Sequence, residues 1–270
     1  MPTNSEKDTL VHIKSALNHA SALSKGFART KVAVEYKGEC DPVTEADRAL
    51  NEMLREFLVQ DGDGWFSEES VDDQSRCKRQ RLWVVDPIDG TKEFVQGIPE
   101  WCVSIALVFR GEAVAGGICN PITGEMFLGS RQTGVTYNDL PVQVSTRTSL
   151  SGAKVLASRT EINAGYWECY SGTDIQLRPV GSVAYKLALV AAGIADATWT
   201  PVPKHEWDVA AGVALVQSAG GIVRTLEGAP LTLNKPVPLL SGLIACGPGL
   251  YEHIRSLIDN QACLNKRCER

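Results

Sequence analysis

Apolar residues recur at helical spacing between Asp8 and about Phe27 (Leu10, Ile13, Leu17, Ala20, Leu23), which predicts an amphipathic helix near the start of the chain. A second helix fits "TEADRALNEMLREFL", Thr44 to Leu58. Thr44 is its N-cap, and Asp47 takes the third helical position of a capping-box pattern that usually carries Glu there. The run Leu82 to Val85 reads as a short buried strand. It runs into "DPIDGT" and a turn or short helix after Gly90. In "CVSIALVFRGEAVAGGICNPITGEMFLGS" the apolar runs are separated by R-G-E and N-P-I-T-G-E, the pattern of an antiparallel meander. A further turn near "NDLPVQVS" leads to a half of different texture from about Ser149. There "AKVLASR" (strand), "SVAYKLALVAAGIAD" (helix), "ATWT" (strand), "HEWDVAAGVALVQSAGG" (helix ended by Gly220-Gly221) and "GLIACG" (strand) alternate. The expectation is an α+β protein with an N-terminal lobe over residues 1–148 and a C-terminal α/β lobe over 149–270, joined in one compact unit.

Composition narrows the class. A chain of 270 residues with 44% hydrophobic content can bury a sizeable core. With 27 basic and 32 acidic residues well mixed and a net charge of −5, there is no basic stripe to neutralise a phosphate backbone, so a nucleic acid polymer is not expected as partner. The 8 cysteines include no Cys-x-x-Cys, and several lie in apolar runs; they read as reduced, mostly buried thiols of a cytoplasmic protein. No export signal is visible at the start, and no apolar run approaches the roughly 20 residues that span a bilayer, so no membrane association is expected.

The candidate chemistry is acidic. Asp86 and Asp89, placed on a turn leaving a strand, can converge on one point, where two anions repel unless a cation lies between them. Magnesium suits carboxylates shared with a phosphate. Gly90 allows close backbone approach, and Thr91 opens a segment whose N–H groups could face an anion. Alternatively, Asp89 caps that segment and Asp86 is a solvated turn residue. "GWFSEES" adds Glu68 and Glu69, "DPVTEAD" adds Asp41 and Asp47, and "EWDVAAG" adds Asp208 at the start of an Ala/Gly-rich helix. Each alone also reads as a loop acid or helix cap. His12, His19, His205 and His253 do not cluster, and there is no Cys-x5-Arg loop, which speaks against His or Cys nucleophiles. His205 more often packs or caps than reacts.

Together, "DPVTEAD", "SEES", "DPIDGT" and "EWDVAAG", in this order, resemble the inositol monophosphatase superfamily of magnesium-dependent, lithium-sensitive phosphatases. The resemblance covers about Asp41 to Gly221. It implies a layered α-β-α-β-α sandwich, two or three Mg²⁺ per site, a small phosphorylated substrate and a homodimer. It assigns Glu68, Asp86 and the Ile88 carbonyl to a first metal, Asp86, Asp89 and Asp208 to a second, and Glu68 with waters to a third. Thr91, oriented by Asp47, would position and deprotonate the attacking water with Glu68, and N–H groups at Gly90 and Thr91 would hold the phosphoryl oxygens.

Inositol-type members usually continue Thr-Asn-Phe after "DPIDGT"; this chain has Lys92-Glu93-Phe94. "DGTKEF", "GIPEWCVSIALV" and "EWD" look more like the 3'(2'),5'-bisphosphate nucleotidase branch, which acts on adenosine 3',5'-bisphosphate. The carboxylate that contacts the inositol ring in inositol monophosphatases, seven residues before the WD aspartate, is Pro201 here. Candidates for a second phosphate site are Lys186, Ser182, and Ser158 with Arg159, although Lys186 also reads as a snorkelling lysine, Arg159 as a surface charge and Lys92 as a solvated first-turn residue. The nucleotidase is therefore the expected activity. The alternatives are inositol monophosphatase, then fructose-1,6-bisphosphatase or histidinol-phosphate phosphatase, and more remotely a non-catalytic metal- or phosphate-binding module.

Overall fold

The structure is a computed structural model and describes residues 6–27, 34–36 and 42–260. Asp41, Cys40, Cys263, Cys268 and the charged tail lie outside the described residues. Helix α1 (Glu6–Phe27) buries Ile13, Ala16, Leu17 and Ala20, the face its periodicity predicts. The strands β1 (Val34–Tyr36) and β2 (Pro42–Thr44) pair antiparallel ahead of α2 (Glu45–Leu58). The capping box at α2 is present with aspartate in the glutamate role: Asp47 Oδ2 accepts the Thr44 N–H at 2.8 Å and the Thr44 hydroxyl at 2.6 Å.

Strand β3 (Gly64–Ser67) pairs parallel with β4 (Arg81–Asp89). After α3 (Thr91–Gln96) come β5 (Cys102–Phe109), β6 (Glu112–Asn120), β7 (Glu125–Ser130), β8 (Gly134–Tyr137) and β9 (Leu140–Val142). From β4 onward these strands form an antiparallel meander, giving a seven-stranded sheet in chain order. The apolar run of β4 is continuous because both sheet faces are covered. Leu82 and Val84 enter one core, and Trp83 and Val85 enter the other, beneath α1 and α2.

The second half holds β10 (Lys154–Ser158), α4 (Arg159–Asn163), β11 (Gln176–Val180), α5 (Val183–Ala191), β12 (Ala197–Thr200) and β13 (Lys204–His205). Then follow α6 (Glu206–Ser218), β14 (Ile222–Thr225), β15 (Leu239–Leu240), β16 (Leu243–Cys246) and α7 (Tyr251–Asp259). A five-stranded sheet runs β11-β10-β12-β16-β14; β10 is parallel to both its neighbours, and β16 antiparallel to both of its own.

Helices α5 and α6 fill the space between the two sheets, while α4 and α7 pack against the second sheet. The layers are thus α-β-α-β-α. Two glycines make the stacking possible. A Cβ at Gly116 of β6 would come within 2.7 Å of the Ala211 carbonyl in α6, and one at Gly117 would strike Ile13 of α1. β11 escaped the sequence reading because it is an edge strand with four exposed residues and a proline, so it carries no apolar alternation.

Candidate active site

The strand expected to end at Val85 continues through "DPID" to Asp89, so Asp86 and Asp89 stand on the strand itself. Opposite them, Asp86 faces Ser104 and Asp89 faces Cys102: three steps on β4 against two on β5. That extra residue is a β-bulge. In a regular strand, residues three apart point to opposite faces; the bulge cancels one step and returns Asp89 to the side of Asp86. The bulge itself is tied down, since Asp86 Oδ1 accepts the Ile88 N–H at 3.1 Å, and the Thr91 hydroxyl donates to the Ile88 carbonyl at 3.0 Å. Gly90 follows at φ +98°, with Trp101 Cβ 3.1 Å from where its own Cβ would stand.

Asp86 is 1% exposed, and its carboxyl is pushed well above the ordinary range, first by burial and then by the charges of Glu68, Asp89, Asp208 and Asp47. These four reach the site from the end of β3, from β4, from the first turn of α6 and from the first turn of α2. The structure therefore gathers Asp47, Glu68, Asp86, Asp89 and Asp208, whereas Glu69 is not among the charges felt at Asp86 and Asp41 is not described. Asp86, Asp89, Asp208 and Asp47 are nevertheless turned to protein donors, and among the described residues no three such side chains close on one point at ligand distance. Asp89 Oδ2 accepts the Ser182 hydroxyl at 2.6 Å and the Ala184 N–H at 2.5 Å, which caps α5. Asp208 accepts the His205 N–H at 2.9 Å, and Asp47 is held by Thr44. Burial raises the Asp89 carboxyl, against the lowering effect of its Ser182 and Ala184 donors. A donor set made only of hard oxygens around a buried, mutually repelling carboxylate fits Mg²⁺.

The substrate-side residues divide. Ser182, at φ +53°, and Lys186, read from the sequence as candidates for a second phosphate site, stand beside Asp89. Lys186 does not snorkel: it is 4% exposed, its Nζ donates to the carbonyls of Ser182 (2.9 Å) and Val180 (3.3 Å), and burial lowers its pKa to about 8. Ser158 caps α4 by accepting the Glu161 N–H. Arg159 is engaged: Nη1 and Nη2 both reach Glu100 Oε2 at 2.8 Å, and Glu93 lies 3.9 Å away. Lys92 is exposed, whereas Glu93 is turned inward against Gly181, where any Cβ would strike it. His205 stacks on Trp207 at 4.3 Å and 8° and leads into α6, the packing role rather than a reactive one.

Sequence reasoning did not anticipate three groups here. Glu161, 3% exposed, holds Lys204 at 3.4 Å and accepts the Thr200 hydroxyl; Glu100 holds Arg159; Arg76 is buried below Phe66. Lys204 lies four residues before Asp208 in "KHEWD" and was legible there; the others carry no local signal. The five cysteines among the described residues are free, and burial pushes the Cys102 thiol well up and Cys119 and Cys246 to about 12, which makes them poor nucleophiles.

A five-layered α+β sandwich with an acidic cluster at a strand bulge and two helix starts defines a class of phosphatase. The chain belongs to the inositol monophosphatase family, which it matches over residues 4–261. It is 32% identical over 254 residues to an inositol-1-monophosphatase of Rhizobium meliloti, covering 90% of this chain and 91% of that one. It is 33% identical over 243 residues to the Nus factor SuhB of Pseudomonas aeruginosa, covering 83% of this chain and 88% of the relative. Among solved structures it resembles the IMPase of Thermotoga maritima with a TM-score of 0.83 at 27% identity, covering 96% of this chain and 99% of that one. The protein is thus a phosphatase acting on small phosphorylated compounds. No helix among the described residues is long and apolar enough to cross a membrane.

Proposed function

We propose that this protein hydrolyses phosphomonoesters with Mg²⁺ held by Glu68, Asp86, the Ile88 carbonyl, Asp89 and Asp208. The observation that carries this reading is Asp86: a buried carboxylate with four others close enough to raise its proton affinity is stable as an anion only beside a cation. When bound, Mg²⁺ would supply an acidified water and a counter-charge for the leaving oxygen. The chain's own residues do the rest. Thr91, hydrogen-bonded to the Ile88 carbonyl on a helix that packs against β2 just ahead of Asp47, would position the water, and Glu68 would take its proton. Gly90 and Thr91 offer backbone N–H groups to the phosphoryl oxygens, and Ser182 and Lys186 work against the effect of burial on Asp89, Ser182 also holding it in place.

For the substrate, the named relatives favour an inositol monophosphate, and the engagement of Arg159 by two carboxylates weakens a second phosphate site there. A bisphosphate nucleotide is the second reading. Lys204, partly buried and held by Glu161, projects charge onto Asp89, while Pro201 supplies no ring-contacting carboxylate. Li⁺ inhibition, a cytoplasmic setting and a homodimer belong to the same proposal.

Turnover of inositol 1-phosphate, adenosine 3',5'-bisphosphate, fructose 1,6-bisphosphate and histidinol phosphate by one preparation ranks the candidates; the inositol ester is expected first. Asp89→Asn is expected to lose about 100-fold or more in kcat, the scale of removing one charge stabiliser. Full Mg²⁺-dependent activity in that variant would sink the proposal.

A further inference from the structure

We propose that Arg76, with Asn234 and Glu206, is a positioning clamp that sets the separation of Glu68 from Asp208 and thereby the affinity of the site for Mg²⁺. It rests on the reading of those two carboxylates as metal ligands. Arg76 is 2% exposed in a stretch where every other residue from Val71 to Gln80 is exposed. A long charged side chain is not buried in an exposed loop without partners, and here they are numerous.

Nε donates to both carboxylate oxygens of Asp72 at 3.0 Å, and Nη2 to Asp72 Oδ2 at 2.8 Å. Nη2 also donates to the Lys235 carbonyl at 2.9 Å, and Nη1 to Asn234 Oδ1 at 2.9 Å. The return bonds run from Asn234 Nδ2 to the Arg76 carbonyl at 3.1 Å and to the Arg79 carbonyl at 3.4 Å. The same loop is fastened to α6 by Glu206, 1% exposed, whose carboxylate accepts the N–H groups of Asn234 at 2.7 Å and Lys235 at 3.1 Å.

The circuit closes through aromatic rings. The guanidinium carbon of Arg76 lies 4.1 Å over the Phe66 ring, and that ring is 4.9 Å from Trp207. Phe66 stands two residues before Glu68, and Trp207 immediately before Asp208. The two carboxylates come from opposite halves of the chain, so no local backbone fixes their distance. The clamp joins the segment behind one to the segment behind the other. Mg²⁺ demands near-ideal octahedral geometry at about 2.0–2.1 Å, so small displacements of one ligand segment weaken binding. Outer partners of metal ligands typically contribute about 10- to 100-fold in affinity.

The test is calorimetric titration of the full-length protein with Mg²⁺, alongside kcat at saturating Mg²⁺ and thermal melting without the metal. Arg76→Lys keeps the charge over Phe66 and loses the planar fork; Asn234→Ala leaves Arg76 its pair with Asp72. Both are expected to weaken Mg²⁺ binding about tenfold while kcat at saturating Mg²⁺ stays within about twofold of the original. If Arg76→Lys does not fold, Asn234→Ala decides. Mg²⁺ affinity within twofold of the original in the folded variants, even with a lowered melting temperature, would overturn the clamp and leave the metal site standing. Absence of Mg²⁺ binding by the unaltered protein would overturn the metal site and the clamp with it.

Discussion

Gly90 takes a conformation that L side chains rarely adopt, φ +98°, and also lacks room: a Cβ there would lie 3.1 Å from Trp101 Cβ and 3.2 Å from the Glu100 carbonyl. Gly90→Ala is expected to cost about 1–2 kcal/mol in folding stability by chemical denaturation. It should also depress kcat/KM, because it displaces Thr91 and the bulge with it. An unchanged denaturation midpoint would show that the turn relaxes freely. Other residues change meaning in the folded state. Lys186 has the sequence environment of a snorkelling lysine and is instead folded under Ser182; Arg159 looks like a free cation and is already neutralised by Glu100. Sequence could not distinguish these cases, because the partner of Arg159 is 59 residues away.

At the scale of the element, helix starts do most of the positioning. Asp47 at α2, Asp208 at α6 and Asp89 at the start of α5 each accept N–H donors of a helix first turn or cap, so the acids expected to bind metal are oriented by capping chemistry. Thr44→Ala removes the hydroxyl half of the α2 capping box and is expected to cost about 1 kcal/mol in chemical denaturation, with Thr44→Ser close to the original protein. A second element-scale contact ties α4 to the β4–β5 connection. Burial alone would raise the Glu100 carboxyl, but the Arg159 guanidinium and the Gly181 N–H outweigh it, and its pKa is lowered. A lowered folded-state pKa adds stability above the unfolded value of about 4.3, and that stability is lost as pH falls through the folded value. Glu100→Gln should therefore flatten the acid limb of stability below about pH 4.3; an identical limb would show that the ion pair is indifferent to folding. The capping motifs were legible in advance because they are local. The bulge was not, because it exists only in the pairing of β4 with β5.

For the whole molecule, binding of Mg²⁺ to carboxylates drawn from both halves should couple the site to global stability. A ligand that binds only the folded state at 100 times its Kd adds about 2.7 kcal/mol. For a chain of this size that raises Tm by roughly 5–10 °C. Melting scans with Mg²⁺ and with a chelator check this, and coincident curves would argue against a metal site. The sequence by itself determined the layered architecture, most of the helices and central strands, the acidic residues and their order. The elements follow from periodicity and cap spacing, carried by neighbouring residues, and the layered architecture from the family resemblance that the order of the acidic motifs carries. Only the tertiary structure decided that the strand runs through "DPID" on a bulge, that Arg159 and Lys204 are each held by a glutamate, and that Arg76 reaches Asn234, 158 residues away. Such contacts depend on how two sheets and the helices between them stack, and packing between distant segments leaves no periodic trace in the chain.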